Sequence, residues 1–383
     1  MDLSLSDEQA AVRALAAELV DREIVPHAAA WDRAEHVDLR IVARLGELGL
    51  LGLTIPEKHG GSGGDHLTYC LVTEELGRGD PSVRGIMSVS TGLVGRSIAR
   101  YGTDEQREQW LPSLCAGREL GCFALTEPDA GSDVASLATR AERAGDRWVL
   151  SGGKTFITNG TRAKVALVFA RTGGSGARGI TAFLVPTGRP GFSATEIRGK
   201  LGLRGQATAQ LTLDAVELPG SARLGEVGQG FAIAMDALAR GRVSLAAGCV
   251  GILQGCLDAA VGYATQRRQF GRPVASFQLV QELIADIAVE ADAARMLVWR
   301  AADLLDRGEP FETAASVAKL YASEAAVRAA NSALQVFGGY GYVDEYPVGK
   351  YLRDARVTTV YEGTSQIQKL IIGRAVTGVS AFR

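Results

Sequence analysis

From Phe231 to Gln269 the chain runs roughly 40 residues without a proline. Read as one helix, that stretch spans about 60 Å. A helix of that length cannot be covered by a small globule, so other long helices must lie along it. Two are predicted to follow, at about 277–306 and 311–337, and a final one begins near Thr364, whose hydroxyl is placed to cap it. Within the long stretch Gly241, Gly248, Gly255 and Gly262 recur every seven residues, with Gly251 between them. Seven residues is nearly two turns, so these glycines share one slowly drifting face. Each costs up to about 1 kcal/mol relative to alanine. Either of two uses would offset that cost: close packing of a neighbouring helix, or room for a ligand lying along the groove.

The rest of the chain divides by its periodicity. Residues 6–118 carry apolar positions at helical spacing over 8–22, 39–49, 68–76 and 104–114. Thr103, followed by Asp104 and Glu105, has the form of an N-cap with an acidic first turn. Residues 119–226 change to short β-branched and aromatic runs (148–152, 165–171, 180–186 and 209–216) separated by Gly, Asp and Asn turns. The expected fold is therefore α+β and multidomain. An N-terminal helical domain (1–118) precedes a central antiparallel β domain (119–226), which leads into a C-terminal four-helix bundle (227–383). The 47 glycines, against 11 prolines in 383 residues, follow no Gly-X-Y period, which excludes a collagen-like chain.

Charge and composition exclude several classes. Lys and Arg number 41 against 43 Asp and Glu, with no dominant basic stripe, so nucleic-acid binding is not expected. No unbroken run of 18 apolar residues occurs, so no membrane span is expected. The polar opening MDLSLSDEQ resembles neither a signal nor a transit sequence. Five cysteines without a CxxC fit a reducing, cytoplasmic setting rather than a disulfide framework or zinc site. All four histidines (His27, His36, His59, His66) precede residue 67 and lack metal-ligand spacing, so no metal site is expected and carboxylates and cofactors are better candidates for chemistry.

Two motif matches fail on context. Residues 174–179 fit GxGxxG, but a strand follows where a dinucleotide site needs a helix, which makes the segment a hairpin loop. Gly153-Lys154-Thr155 resembles the end of a phosphate loop, but Trp148 stands where the first glycine is required. Four other segments carry more. Residues 125–133 (LTEPDAGSD) gather Thr126, Gly131 and Ser132 in one turn that can present N–H and hydroxyl groups to a polar ligand, or serve as an ordinary interdomain turn. Residues 154–160 (KTFITNG) set Phe156 and Thr158 on one strand face beside an Asn-Gly hairpin turn. That pairing suits a planar heteroaromatic ligand, and plain hairpin packing would look the same. Residues 335–341 (QVFGGYG) and 360–366 (VYEGTSQ) lie near the C-terminus. In the second, Glu362 beside a glycine in apolar surroundings could be a base of raised pKa or a surface acid.

LTEPDAGSD, KTFITNG, RRQFGRPVASFQ, QVFGGYG and VYEGTSQIQ, in this order on a helix–β–helix plan, resemble the acyl-CoA dehydrogenase family over nearly the whole chain. The resemblance implies a flavoprotein oxidoreductase with one FAD per subunit between the β domain and the bundle. Phe123, Leu125, Thr126, Gly131 and Ser132 would line the flavin and thioester, with Phe156 and Thr158 flanking the isoalloxazine. Arg267, Phe270, Gln278, Gln335 and Gly339 would contact the FAD of a neighbouring subunit, and Thr364 and Gln366 its diphosphate. Such shared sites imply an obligate oligomer, a homotetramer built as a dimer of dimers. Ser132, Arg242, Tyr361 and Gly363 would face the substrate, and Glu362 would take the pro-R α-proton while a β-hydride passes to the flavin. Gly241 stands where some branches place their base, which leaves Glu362 in that role. Electrons would pass on to an electron-transfer flavoprotein. Ala239 replaces the Asp or Asn that often touches the pantetheine arm, so the carrier is acyl-CoA or, as in a polyketide extender-unit branch, an acyl-carrier-protein thioester. An oxidase of the same fold is a further alternative.

Overall fold

The computed structural model describes residues 4–381. The N-terminal region is built from α1 (Asp7–Leu19), α2 (Val25–Ala34), α3 (Arg40–Glu47), α4 (His66–Gly79), α5 (Pro81–Met87), α6 (Arg96–Tyr101) and α7 (Asp104–Cys115). The hydroxyls of Ser6 and Thr103 each accept from the backbone N–H of the glutamine three residues on, whose side-chain Oε1 accepts from the cap residue's own N–H, so both ends are capping boxes. Between α5 and α6 the chain winds through π-helical turns at Ser88–Gly95.

An eight-stranded sheet follows: β1 (Gly121–Ala124), β2 (Arg140–Ala144), β3 (Arg147–Thr158), β4 (Val165–Arg171), β5 (Ile180–Pro186), β6 (Phe192–Glu196), β7 (Thr208–Pro219) and β8 (Arg223–Leu224). The order is β6-β7-β3-β2-β4-β5-β8, with β1 on β4. Pairing is antiparallel except for β1 on β4 and one β2–β4 contact at Arg140 and Arg171. Residues 174–179 close the β4–β5 hairpin, as their context predicts. The Asn159-Gly160 turn is different. The strands it joins, β3 and β4, do not pair with each other, so it closes no hairpin. Instead Asn159 is buried at positive φ, and its Nδ2 donates to the carbonyls of Ile86 and Gly121 at 3.2 Å. It locks the β domain onto α5.

The bundle comprises α8 (Gly230–Gln266), the ribbon β9 (Arg268–Gln269) and β10 (Arg272–Pro273), α9 (Gln278–Asp306), α10 (Glu312–Phe337), α11 (Val348–Thr358) and α12 (Ser365–Thr377). The three long helices appear where the proline-free periodicity places them. The short helix α11 is additional. Part of α8 reaches mean hydropathy 1.5 and is long and apolar enough to cross a membrane. Here 67% of that part is buried inside the protein, against α4, α9 and α10.

The glycine ladder serves different ends at different heights. A Cβ on Gly251 would lie 2.0 Å from the Glu74 carbonyl oxygen and 2.6 Å from the Arg78 nitrogen, and one on Gly77 would lie 2.4 Å from the Gly248 carbonyl. Here α4 and α8 touch backbone to backbone. At Gly241 the neighbour is instead the carboxylate of Glu362, and at Gly262 a side chain would meet nothing within 4 Å.

Candidate active site

One cavity opens where α5, the π-helical turns, the sheet and the α11–α12 loop converge. Phe123, Leu125, Thr126, Phe156, Thr158, Tyr361 and Glu362 line it together. The turn after β1 is held from β3: Thr155 N–H donates to the Thr126 carbonyl at 2.9 Å, and Lys154 Nζ donates to the Leu125 carbonyl at 3.1 Å. Lys154 also reaches Glu127 Oε1 at 2.7 Å, and Glu127 accepts from the N–H groups of Ala138 and Thr139. Burial works against the charge on Glu127, yet Lys154 and those donors outweigh it and hold the carboxyl below its ordinary range. Replacing Lys154 by Met strands a carboxylate and frees the turn. A stability loss of about 3–5 kcal/mol is expected, with lower FAD content in the purified protein; chemical denaturation and the flavin-to-protein absorbance ratio check both.

Phe156 shows why the strand alone does not explain this segment. The β3–β7 register shifts between Lys154 and Ile157, and Phe156 takes φ +58° with the residue 68% exposed. A left-handed backbone is costly for a bulky residue, and here it turns an aromatic face into the cavity. Thr158 Oγ1 accepts from Gln206 Nε2 at 2.8 Å, so its own O–H proton is free to donate elsewhere.

Glu362 sits in the loop between α11 and α12 at φ +54°, followed by Gly363 at φ +88°. Thr364 caps α12 by accepting from Ile367 N–H. Lys319 Nζ donates to the Gly363 carbonyl at 2.8 Å, and Gln368 Nε2 to the carbonyls of Glu362 and Gly363. The loop is thus held by its backbone, leaving the Glu362 side chain without a hydrogen bond at Oε2, which is shielded from solvent. Burial pushes its pKa up, opposed by the charges of Arg84, Lys319 and Arg242. Burial likewise lowers Lys319 to about 8.

The other sequence-predicted residues stand apart from this cavity. Gly131 and Ser132 are exposed on the far part of the Thr126 turn. Arg242 is buried behind Glu362, with Nε unpartnered. Gln366 is exposed on α12. Arg267 stacks over Tyr340, and Phe270 is 93% exposed at φ +50°. Gln278, Gln335 and Gly339 are exposed as well. Within one chain these five do not meet Glu362. Conversely, Arg84, Val89, Leu93, Gln206 and Leu238 line the cavity and do not figure in the motifs. Only Arg84 leaves a trace in the sequence, as a lone charge within the run Val83–Ser90.

A β-domain aromatic that is exposed, a hydroxyl with a free proton and a carboxylate without a hydrogen bond at Oε2 thus meet in one cavity. Family models for the N-terminal, middle and C-terminal domains of acyl-CoA dehydrogenase match residues 6–118, 122–216 and 228–377. The mitochondrial short-chain specific acyl-CoA dehydrogenase of Bos taurus is 43% identical over 97% of this chain and 90% of its own. Butyryl-CoA dehydrogenase from Megasphaera elsdenii superposes with TM-score 0.96 at 40% identity, covering 98% of this chain and 100% of that one. A prolyl acyl carrier protein oxidase superposes at 0.94 with 30% identity, covering 98% and 100%. The chain belongs to the acyl-CoA dehydrogenase family, which consists of FAD-dependent oxidoreductases.

The residues present fit that cofactor. Phe156 offers a ring face, Thr158 a free hydroxyl proton and Gln206 a buried Oε1 without a partner, all lining the one cavity. These are an aromatic surface, a donor and an acceptor for a planar ring system whose edge carries both donors and acceptors.

Proposed function

We propose that the chain oxidises a short acyl thioester to its α,β-unsaturated form, with Glu362 as the base. The observation that carries this is the Glu362 carboxylate: its Oε2 is shielded from solvent and without a hydrogen bond, and it lines the same cavity as Phe156 and Thr158. A carboxylate so placed keeps its lone pairs for a substrate proton, and desolvation makes it a stronger base than a hydrated one. Phe156, Thr158, Thr126 and Gln206 would hold the flavin, while Thr364, Gln366 and the outlying group Arg267, Phe270, Gln278, Gln335 and Gly339 would serve FAD through a second subunit. Bound FAD supplies the acceptor for the electron pair that leaves with the β-hydrogen. Glu362 takes the α-proton, and its own backbone N–H is the donor available to a thioester carbonyl that gains negative charge. Arg84, Lys319 and Arg242 steady the ionised carboxylate.

CoA is the better-supported carrier. The relatives at 40–43% identity are named for acyl-CoA substrates, and the carrier-protein oxidase stands at 30%. An electron-transfer flavoprotein is the electron acceptor this reading calls for, and a tetramer its assembly.

Proton removal is testable without turnover. A CoA thioester that has α-hydrogens but no β-hydrogens should exchange its α-hydrogens with D₂O on the FAD-loaded protein, at least about 100-fold faster than on Glu362→Gln. Absence of exchange on the wild-type protein contradicts the role. The pH profile supplies a second check. Because burial raises the Glu362 pKa, kcat/KM should fall as pH drops through a value above the ordinary glutamate of about 4.3. Lys319→Met, by removing a cation, should move that limb further up.

A further inference from the structure

Among the described residues, two that line the cavity carry a buried side-chain oxygen without a hydrogen bond: Glu362, at Oε2, and Gln206, at Oε1. The first is accounted for by the base. The second has no such account. Gln206 is 4% exposed, and an amide oxygen buried without a partner is costly. The fold nevertheless makes room for it. A Cβ on Gly85 would lie 1.9 Å from Gln206 Oε1, so the oxygen can stand there only because α5 carries a glycine at this height. The backbone sets the place of Gln206. Leu203 N–H donates to Asp354 Oδ1 at 2.6 Å, Gln206 N–H to the Leu203 carbonyl at 3.1 Å, and Thr208 Oγ1 to the Gln206 carbonyl at 3.4 Å. At the other end of the amide, Nε2 is spent on Thr158 Oγ1 at 2.8 Å. That bond fixes which way the amide faces and leaves the oxygen over.

A fixed, desolvated acceptor calls for a donor on whatever fills the cavity. A saturated acyl chain offers none. The neighbours of Gln206 point to the cofactor ring instead: Phe156 presents an aromatic surface and Thr158 a hydroxyl proton in the same cavity. An isoalloxazine changes its hydrogen bonding with its redox state. When oxidised, its central-ring nitrogen is an acceptor; two-electron reduction places a hydrogen on that nitrogen and makes it a donor. The Thr158 proton suits the oxidised state. The unpaired Gln206 oxygen suits the reduced one.

We propose that Gln206 Oε1 accepts the N–H that the flavin gains on reduction, and that Gln206 thereby raises the reduction potential of the bound cofactor. The proposal rests on the reading of Phe156 and Thr158 as the flavin wall. In that reaction the β-carbon–hydrogen bond breaks and its electron pair moves with the hydrogen to the flavin, where an N–H bond forms. The α-proton goes to Glu362, so the thioester loses two electrons and FAD gains two. An acceptor that meets only the product of this transfer favours it, because it binds one redox state better than the other.

The test needs no thioester. The midpoint potential of bound FAD is measured by anaerobic dye-coupled reduction, and the affinity for oxidised FAD by flavin fluorescence, in wild type, Gln206→Met and Gly85→Ala. Methionine keeps the bulk of glutamine but offers only a weak acceptor. Alanine at 85 displaces the oxygen from the opposite side, and the end of a flexible side chain yields there before the helix does. In both variants reduction should become about tenfold less favourable, which lowers the potential by about 30 mV for a two-electron couple. Oxidised FAD should bind nearly as tightly as before. A Gln206→Met potential equal to that of wild type overturns the proposal, and this includes a variant that loses oxidised and reduced FAD alike, which is a structural role. A potential that rises overturns it too, because the amide then faces the ring with its nitrogen. Acyl-CoA esters separate the two readings. Potentials that fall in both variants, with no ester reducing the wild-type flavin, refute the dehydrogenase reading and leave the role of Gln206 standing. Flavin reduced by an ester, at a potential indifferent to Gln206, does the reverse.

Discussion

Glu362→Gln protein loaded with FAD is expected to bind thioester yet reduce its flavin roughly 10⁴-fold more slowly than wild type, the upper range for a lost general base. The substitution keeps shape and removes only the titratable oxygen. Among the described residues no other carboxylate lines the cavity, so none is at hand to replace it. The fold should not suffer. A carboxyl whose folded pKa lies above its unfolded value contributes stability at low pH and loses it as pH rises through the folded pKa. Near neutrality wild type therefore carries a penalty that glutamine does not. The variant should melt at the same or a higher temperature at neutral pH, and that margin should shrink as the pH is lowered below the ordinary glutamate range. Stopped-flow reduction under anaerobic conditions and melting curves at two pH values read the two effects separately. Loss of activity accompanied by loss of stability would point to damage rather than to a missing base.

The largest stability effect is expected at Gly251→Leu. Backbone atoms of α4 occupy the space on that side of α8, with the Glu74 carbonyl 2.0 Å from the position of a Cβ. A flexible side chain can yield to an intruder, whereas a hydrogen-bonded helix backbone cannot. The helices must separate, opening the α4–α8 contact along the core. A loss of about 4 kcal/mol or more follows, read as a shifted denaturation midpoint or as failure to recover folded protein. Gly262→Ala is the matched control. It lies on the same ladder and is exposed, with nothing within 4 Å of a Cβ, so it should be neutral or stabilising by up to about 1 kcal/mol. Equal tolerance at both positions would contradict the division of the ladder into contact and non-contact heights.

The long helices were legible because an apolar period sustained without proline leaves few alternatives. Strands β4 and β5 were legible as short runs rich in β-branched and aromatic residues. Helix α11 was not, because its sequence lies beside glycines and a proline and is held by tertiary contacts such as Lys350 with Asp80 and Tyr351 with the Arg78 carbonyl. The Asn159 turn read as a hairpin because local chemistry cannot tell which strands a turn joins. Site residues carried by compact motifs came together, as Phe123, Thr126, Phe156, Thr158 and Glu362 do. Arg84 stayed hidden because what makes it informative is distant: Tyr361 lies 277 residues away in sequence. A lone arginine in an apolar run looks like a surface cation until the fold buries it beside Tyr361, in the cavity that Glu362 lines.

The central claim is that this cavity oxidises a short acyl thioester. Anaerobic titration of the purified, FAD-loaded protein with saturated acyl-CoA esters, methyl-ended and carboxylate-ended, tests it most directly. The account predicts that at least one ester bleaches the flavin absorbance in proportion to active sites while the 2-enoyl thioester appears in the same amount. FAD that stays fully oxidised across the panel, in protein that binds the esters, would contradict it.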